Sequence, residues 1–110
     1  MSRTIPRAFV TAAWDENPVV AKAQAMRYCQ VLVLEGYLPL CPVLAFEGIF
    51  PKELEDIHKR RREMTEDLIK RSRVLVVCGC GQNEEVKDDI AVARKAKVIV
   101  TTLKGVVGNE

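Results

Sequence analysis

Val74-Leu75-Val76-Val77-Cys78 is an unbroken apolar run closed by two glycines, Gly79 and Gly81. A strand with one wet face alternates polar and apolar residues. A continuous run fits a strand covered on both faces, as in a parallel sheet flanked by helices. Working outward, Glu84 to Lys95 predicts a helix with acids in its first turn, and residues 97–103 (Lys-Val-Ile-Val-Thr-Thr-Leu) predict a fourth strand. Residues 105–110 are expected to be a loose tail.

Toward the amino end the same alternation recurs. Residues 7–13 (Arg-Ala-Phe-Val-Thr-Ala-Ala) form a short apolar run bounded by Pro6 and Asp15, a buried strand. Asn17 followed by Pro18 opens a helix, because a first-turn proline lacks only an N–H that would have no partner there. Ala21, Ala25, Cys29 and Leu32 recur at helical spacing, with Met26 and Val33 widening the stripe, and Gly36 ends a helix over about 18–35. Residues 37–44 predict a second strand, placed at a sheet edge because Pro39 and Pro42 cannot donate ladder hydrogen bonds. Residues 45–50 read as a loop with exposed Phe46, Ile49 and Phe50. Pro51 opens a second helix to about Arg71, with Leu54, Ile57, Met64 and Leu68 on one face. The βαβαβαβ order implies one α/β domain over 1–110, a parallel sheet of about four strands in a Rossmann-like or flavodoxin-like three-layer sandwich. Ligands of such sheets bind at the carboxyl ends of the strands, which directs attention to the loops after Ala13, Leu44 and Cys78.

Composition narrows the function classes. The chain has 110 residues, 48% hydrophobic and 29% charged, with a formal net charge of +2, which excludes disorder. No apolar run approaches the roughly 20 residues of a membrane span, and the first six residues lack the apolar core of a signal peptide, so a cytoplasmic protein is expected. Cys29, Cys41, Cys78 and Cys80 follow no zinc or CxxC spacing. The first three sit in apolar stretches as small buried hydrophobes, and Cys80 is the accessible thiol. His58 reads as a solvated helix residue. No metal or cofactor is expected: GxGxxG and P-loop motifs are absent. The only serines, Ser2 and Ser72, lie outside any nucleophile elbow. The basic run Lys59-Arg60-Arg61-Arg62 is embedded in a segment, 51–73, with eight basic and six acidic residues. A solvated mixed-charge face is expected there, not a nucleic-acid patch, since no aromatic residues interleave it. Asp89 stands out, because it falls near the inward face of its helix, where an unpaired carboxylate is costly.

Three segments resemble the nucleoside 2-deoxyribosyltransferases and their short bacterial and phage relatives. They are Phe9-Val10-Thr11-Ala12-Ala13-Trp14; Ala25-Met26-Arg27-Tyr28-Cys29 with Gly36-Tyr37-Leu38-Pro39-Leu40-Cys41-Pro42 and Phe46; and Glu84-Glu85-Val86-Lys87-Asp88-Asp89-Ile90 followed by Ala93. The resemblance implies a pocket for an uncharged nucleoside or nucleobase and a two-step, retaining cleavage or transfer of the N-glycosidic bond. Asp89 takes the place of the family's nucleophile and Phe9 that of its positioning tyrosine. Thr11, Ala12 and Trp14 line the first loop, with Trp14 equally suited to packing the top of the core, and Gly79, Asn83 and Glu84 line the loop after the third strand. Glu84 and Glu85 oppose a phosphate at that helix start, although a helix N-terminus otherwise attracts one. The resemblance also implies a homodimer or higher homo-oligomer, for which Phe46, Ile49 and Phe50 suit an interface; they suit a cover over one end of the core equally well.

The sequence departs from the family at four places. Aspartate stands for glutamate at 89, which retracts the carboxylate by about 1.5 Å, one C–C bond, and a misplacement of about 1 Å can cost about 10²-fold in rate. Phe9 lacks the orienting hydroxyl, Glu85 replaces a glycine, and Arg73 stands where relatives often carry an acid. A catalytically degenerate nucleoside-binding or regulatory module is therefore the alternative expectation. A third, ranked lower, is an accessory protein that uses the charged second helix to bind another protein.

Overall fold

Residues 4–108 are described by the structure, a computed structural model. The β3 strand, Val74–Cys78, has the predicted bounds and sits inside a four-stranded, all-parallel sheet of order β2-β1-β3-β4. The other strands are β1 (Arg7–Ala12), β2 (Leu38–Leu40) and β4 (Ile99–Thr102). β2 is an edge strand, as Pro39 within it requires.

Side chains alternate across the sheet, so each face has its own core. Ala8, Val10 and Ala12 point with Val74, Val76 and Cys78 toward α1 (Pro18–Leu34), which contributes Ala25 and Leu32. Phe9 and Leu75 point the other way, against Ile69 of α3 (Ile57–Lys70) and Ala93 of α4 (Glu84–Lys95). The result is an α/β/α sandwich with a Rossmann- or flavodoxin-like arrangement. Because α1 leads outward from β1 to β2 and α3 returns on the opposite face to β3, the strand order reverses between β1 and β3. That reversal is where open parallel sheets form a crevice.

The first and fourth helices begin as their caps dictate. Asn17 accepts a hydrogen bond from Val19 N at 2.9 Å, with Pro18 in the first turn. Asn83 accepts from Val86 N at 3.0 Å, and Glu84 and Glu85 lie against the positive helix end.

Elsewhere the prolines mislead. The second strand stops at Leu40, and Pro42 instead opens a short helix, α2 (Pro42–Ala45). Pro51 does not open α3, which starts six residues later at Ile57, after Asp56 has taken a left-handed conformation (φ 56°) that no helix can continue through. The buried face of α3 also differs from the expected stripe. Thr65 and Ile69 are buried, whereas Ile57 is exposed. At the other end, the expected loose tail contains α5 (Leu103–Val107), started by Thr102 Oγ1 accepting from Gly105 N at 3.0 Å. Residues 109 and 110 lie outside the described residues. Phe46, expected to be exposed, is only 7% exposed. It meets Phe50 edge-on at 5.8 Å and carries the Arg61 guanidinium 5.2 Å above its ring.

Candidate functional site

Thr11 is the fifth residue of β1 and faces the α3–α4 layer near the carboxyl end of the strand. On α4, Asp89 shares the inward face with Val86 and Ala93, spaced three and four residues away. These placements bring together two residues 78 positions apart. Thr11 Oγ1 donates to Asp89 Oδ2 at 2.7 Å. The other carboxylate oxygen, Oδ1, accepts from Arg62 Nη1 of α3, also at 2.7 Å. Arg62 Nε in turn donates to Glu66 Oε2 at 3.1 Å, one helical turn on. Asp89 is only 2% exposed, yet both of its oxygens are satisfied.

Opposing effects set the charge of this group. Burial raises the Asp89 carboxyl above its ordinary value, while the bonds from Arg62 and Thr11 pull it down. Burial disfavours the Arg62 cation, but its bonds to Asp89 and Glu66 outweigh this and leave its pKa raised. Glu85, one turn before Asp89 on the same helix, is raised by desolvation and by the Asp89 charge, with Arg61 and Arg62 opposing. Arg62, Glu85, His58, Arg61, Thr65 and Asp88 line a cavity of about 310 Å³ between α3 and α4. That volume is at the lower end for small-molecule sites. Arg62 belongs both to this cavity and to the Asp89 pair. His58 is solvent-exposed, as expected, and reaches the rim.

The loops after β1 and β3 also meet. Trp14 is half-buried and packs on Tyr28 of α1, their ring centroids 5.9 Å apart. Burial raises the Tyr28 pKa, with further upward contributions from Cys78 and Cys80. Gly79 takes φ +77°, and a Cβ there would lie 3.1 Å from the Tyr28 hydroxyl oxygen, so both conformation and space call for glycine. A Cβ at Gly81 would rest 3.6 Å from that of Ala13.

The residues singled out from the sequence thus separate into groups. Thr11 and Asp89 touch. Trp14 and Gly79 share Tyr28 as a neighbour. Ala12 is buried in the core on the α1 side. Asn83 is occupied as a helix cap, and Glu84 is exposed with Lys87 Nζ 3.8 Å away. Phe9 is 1% exposed and packs among Ile69, Leu75 and Ala93, a core residue that offers no polar atom to Asp89. Arg62, Glu66 and Tyr28 were not foreseen as part of the site. A signal for Arg62 existed, because Arg62, Thr65 and Ile69 recur at i, i+3 and i+7, with the last two buried.

Among the described residues, no cluster of His, Cys, Asp or Glu is arranged to hold a metal ion, and no helix is long and apolar enough to cross a membrane. The chain matches no protein-family model and no curated protein.

Proposed function

We propose that the protein binds a 2′-deoxynucleoside or its free base at the carboxyl end of the sheet, in the manner of the deoxyribosyltransferases it resembles, with Asp89 toward the sugar. The single observation that carries this reading is the buried Asp89 carboxylate beside the strand-order reversal, held by Thr11 and Arg62. Packing alone favours an apolar side chain there, because desolvating an ion pair offsets much of its attraction. A charged group kept at such a point belongs with function.

The engagement of both Asp89 oxygens favours binding without turnover. A nucleophilic carboxylate must bring an oxygen within reach of C1′, and here Asp89 is buried with each oxygen held by a short hydrogen bond. The second reading is cleavage or transfer through Asp89, favoured by the raised pKa of Glu85. In it Arg62 swings away from Oδ1, that oxygen attacks C1′, and the C1′–N bond breaks. Glu85 protonates the leaving base, and water or a second base, giving up its proton to the Glu85 carboxylate, displaces the sugar from Asp89.

Incubating concentrated protein with deoxyinosine, with and without adenine, distinguishes the readings by chromatography. Hypoxanthine alone means hydrolysis and deoxyadenosine means transfer; either product should vanish in Asp89→Ala. Deoxynucleoside binding without product supports the binding module. Absence of both binding and product overturns the proposal. The resemblance also implies a homo-oligomer, although within the aromatic patch expected to form its interface Phe46 is buried and Ile49 is exposed. Light scattering that returns a monomer mass would remove that part.

A further inference from the structure

The opposite end of the sheet carries a second feature. A groove of about 500 Å³ runs across the amino ends of β1, β3 and β4, lined by Arg7, Lys70, Arg71, Arg73 and Lys97 and, among the described residues, by no acidic side chain. Three of these cations have local explanations. Lys70 sits in the last turn of α3, where a positive charge complements the helix dipole. Lys97 directly follows the last turn of α4 and does the same there. Arg71 is paired with Asp67 at 2.8 Å. Arg7 and Arg73 have none. Arg7, Arg73 and Lys97 are exposed and form no ion pair among the described residues.

The placement of the two arginines is unfavourable without a ligand. Ala8 is in register with Val74, so Arg7 and Arg73 lie opposite each other on adjacent strands, joined by Arg73 N donating to Arg7 O at 2.9 Å. Neighbouring strands are about 4.8 Å apart, and like charges directly opposite destabilise a sheet. Lys97 occupies the turn between α4 and β4 at φ 63°, a left-handed position where glycine or asparagine is favoured. Lys97 N donates to Arg94 O at 3.1 Å and Val98 N to Ala93 O at 2.7 Å, the hydrogen bonds of a left-handed cap that closes α4, and this cap sets Lys97 beside the groove.

We propose that this groove is a second binding site, which takes the phosphate chain of a small, multiply charged phosphoanion. Arginine forks match phosphate oxygens in paired hydrogen bonds, and several cations on one wall suit a polyvalent anion better than a monocarboxylate. Among the described residues no aromatic side chain lines the groove, so recognition is of the phosphates and not of a base. The site lies at the other end of the strands from Asp89 and is independent of the proposed nucleoside pocket.

Titration calorimetry of the whole protein with inorganic tripolyphosphate, at low ionic strength and again at physiological salt, tests the proposal. Saturable binding should weaken with salt and fall at least about tenfold in the Arg7→Gln/Arg73→Gln variant, whose exposed substitutions leave the core intact. Asp89→Asn should bind as the parent does. A nucleoside triphosphate should bind within a few-fold of tripolyphosphate. The proposal is overturned if tripolyphosphate gives no more heat than chloride at matched ionic strength, or if the double variant binds equally well. It also fails if the triphosphate or a single-stranded oligonucleotide binds far more tightly than tripolyphosphate, since either result assigns the groove to other chemistry.

Discussion

Replacing Arg62 with leucine removes one half of the pair at the centre of the candidate site and keeps the stem that packs between α3 and α4. Breaking a fully buried pair costs about 3–5 kcal/mol, because the remaining charge loses its partner. Here the Arg62 side chain is 31% exposed and that of Asp89 only 3%, so screening on the Arg62 side reduces the expected loss to about 2–3 kcal/mol. For a domain of this size that is a fall in Tm of roughly 10 °C. The loss should depend on pH in a definite direction. Burial already places Asp89 above its unfolded pKa, and removing Arg62 takes away a downward pull, so its native pKa rises further. An acid with a raised native pKa loses stability as pH climbs from its unfolded value to its native value, and the dependence is flat outside that window. The variant has the wider window, so its deficit grows with pH by up to about 1.4 kcal/mol per unit. Urea unfolding followed by circular dichroism should give a deficit of about 2–3 kcal/mol near pH 7 and a smaller one near pH 5. Adding Asp89→Asn to the variant should recover at least half of the loss near neutral pH. An equal deficit at both pH values, or no recovery, would refute the assignment of Asp89 as a buried charge held by Arg62.

Three further outcomes follow from the same geometry. Thr11→Val keeps the shape but leaves Asp89 Oδ2 without its donor, so denaturant unfolding should show a loss of about 1–3 kcal/mol; a neutral result would mean that the bond contributes nothing. Gly79→Ala must hold alanine at φ +77° with its Cβ 3.1 Å from the Tyr28 hydroxyl, which should lower stability by about 1–2 kcal/mol and alter the intrinsic fluorescence of Trp14; a Tm equal to the parent's would contradict the contact. Of the four free cysteines only Cys80 is exposed, whereas burial pushes the Cys78 thiol up to about 12. Maleimide should therefore label Cys80 fastest in the folded protein, and mass spectrometry finding Cys41 or Cys78 labelled first would count against the described core.

How much of this was legible beforehand depended on whether the controlling interaction was local. β3 and α4 were readable to the residue. A five-residue apolar run closed by glycines fits a strand covered on both faces, and Asn83 with two acids after it marks a helix start within four positions. Proline is the weaker signal because it is compatible with several outcomes. The sequence predicts a strand at Pro42, where the proline opens a helix, and a helix start at Pro51, where a turn follows. Only the whole fold decides between them, through what each segment packs against. α5 escaped notice because its amphipathic pair, Leu103 and Val106, finds its apolar partner in the sheet rather than in its own sequence.

The same division runs through the candidate sites. The periodicity of α4 alone placed Asp89 on an inward face. That its partners are Thr11, 78 residues away, and Arg62, 27 residues away, was decided by the strand order that stacks β1 beneath α4 and α3 beside it. The cations of the amino-end groove are likewise scattered at 7, 73 and 97, and the parallel register alone makes them neighbours. Sequence by itself determined the elements whose caps and apolar periods are local, and hence the α/β class. Tertiary structure decided which charges meet, because a pairing between distant residues leaves no period or cap in the chain from which it can be read.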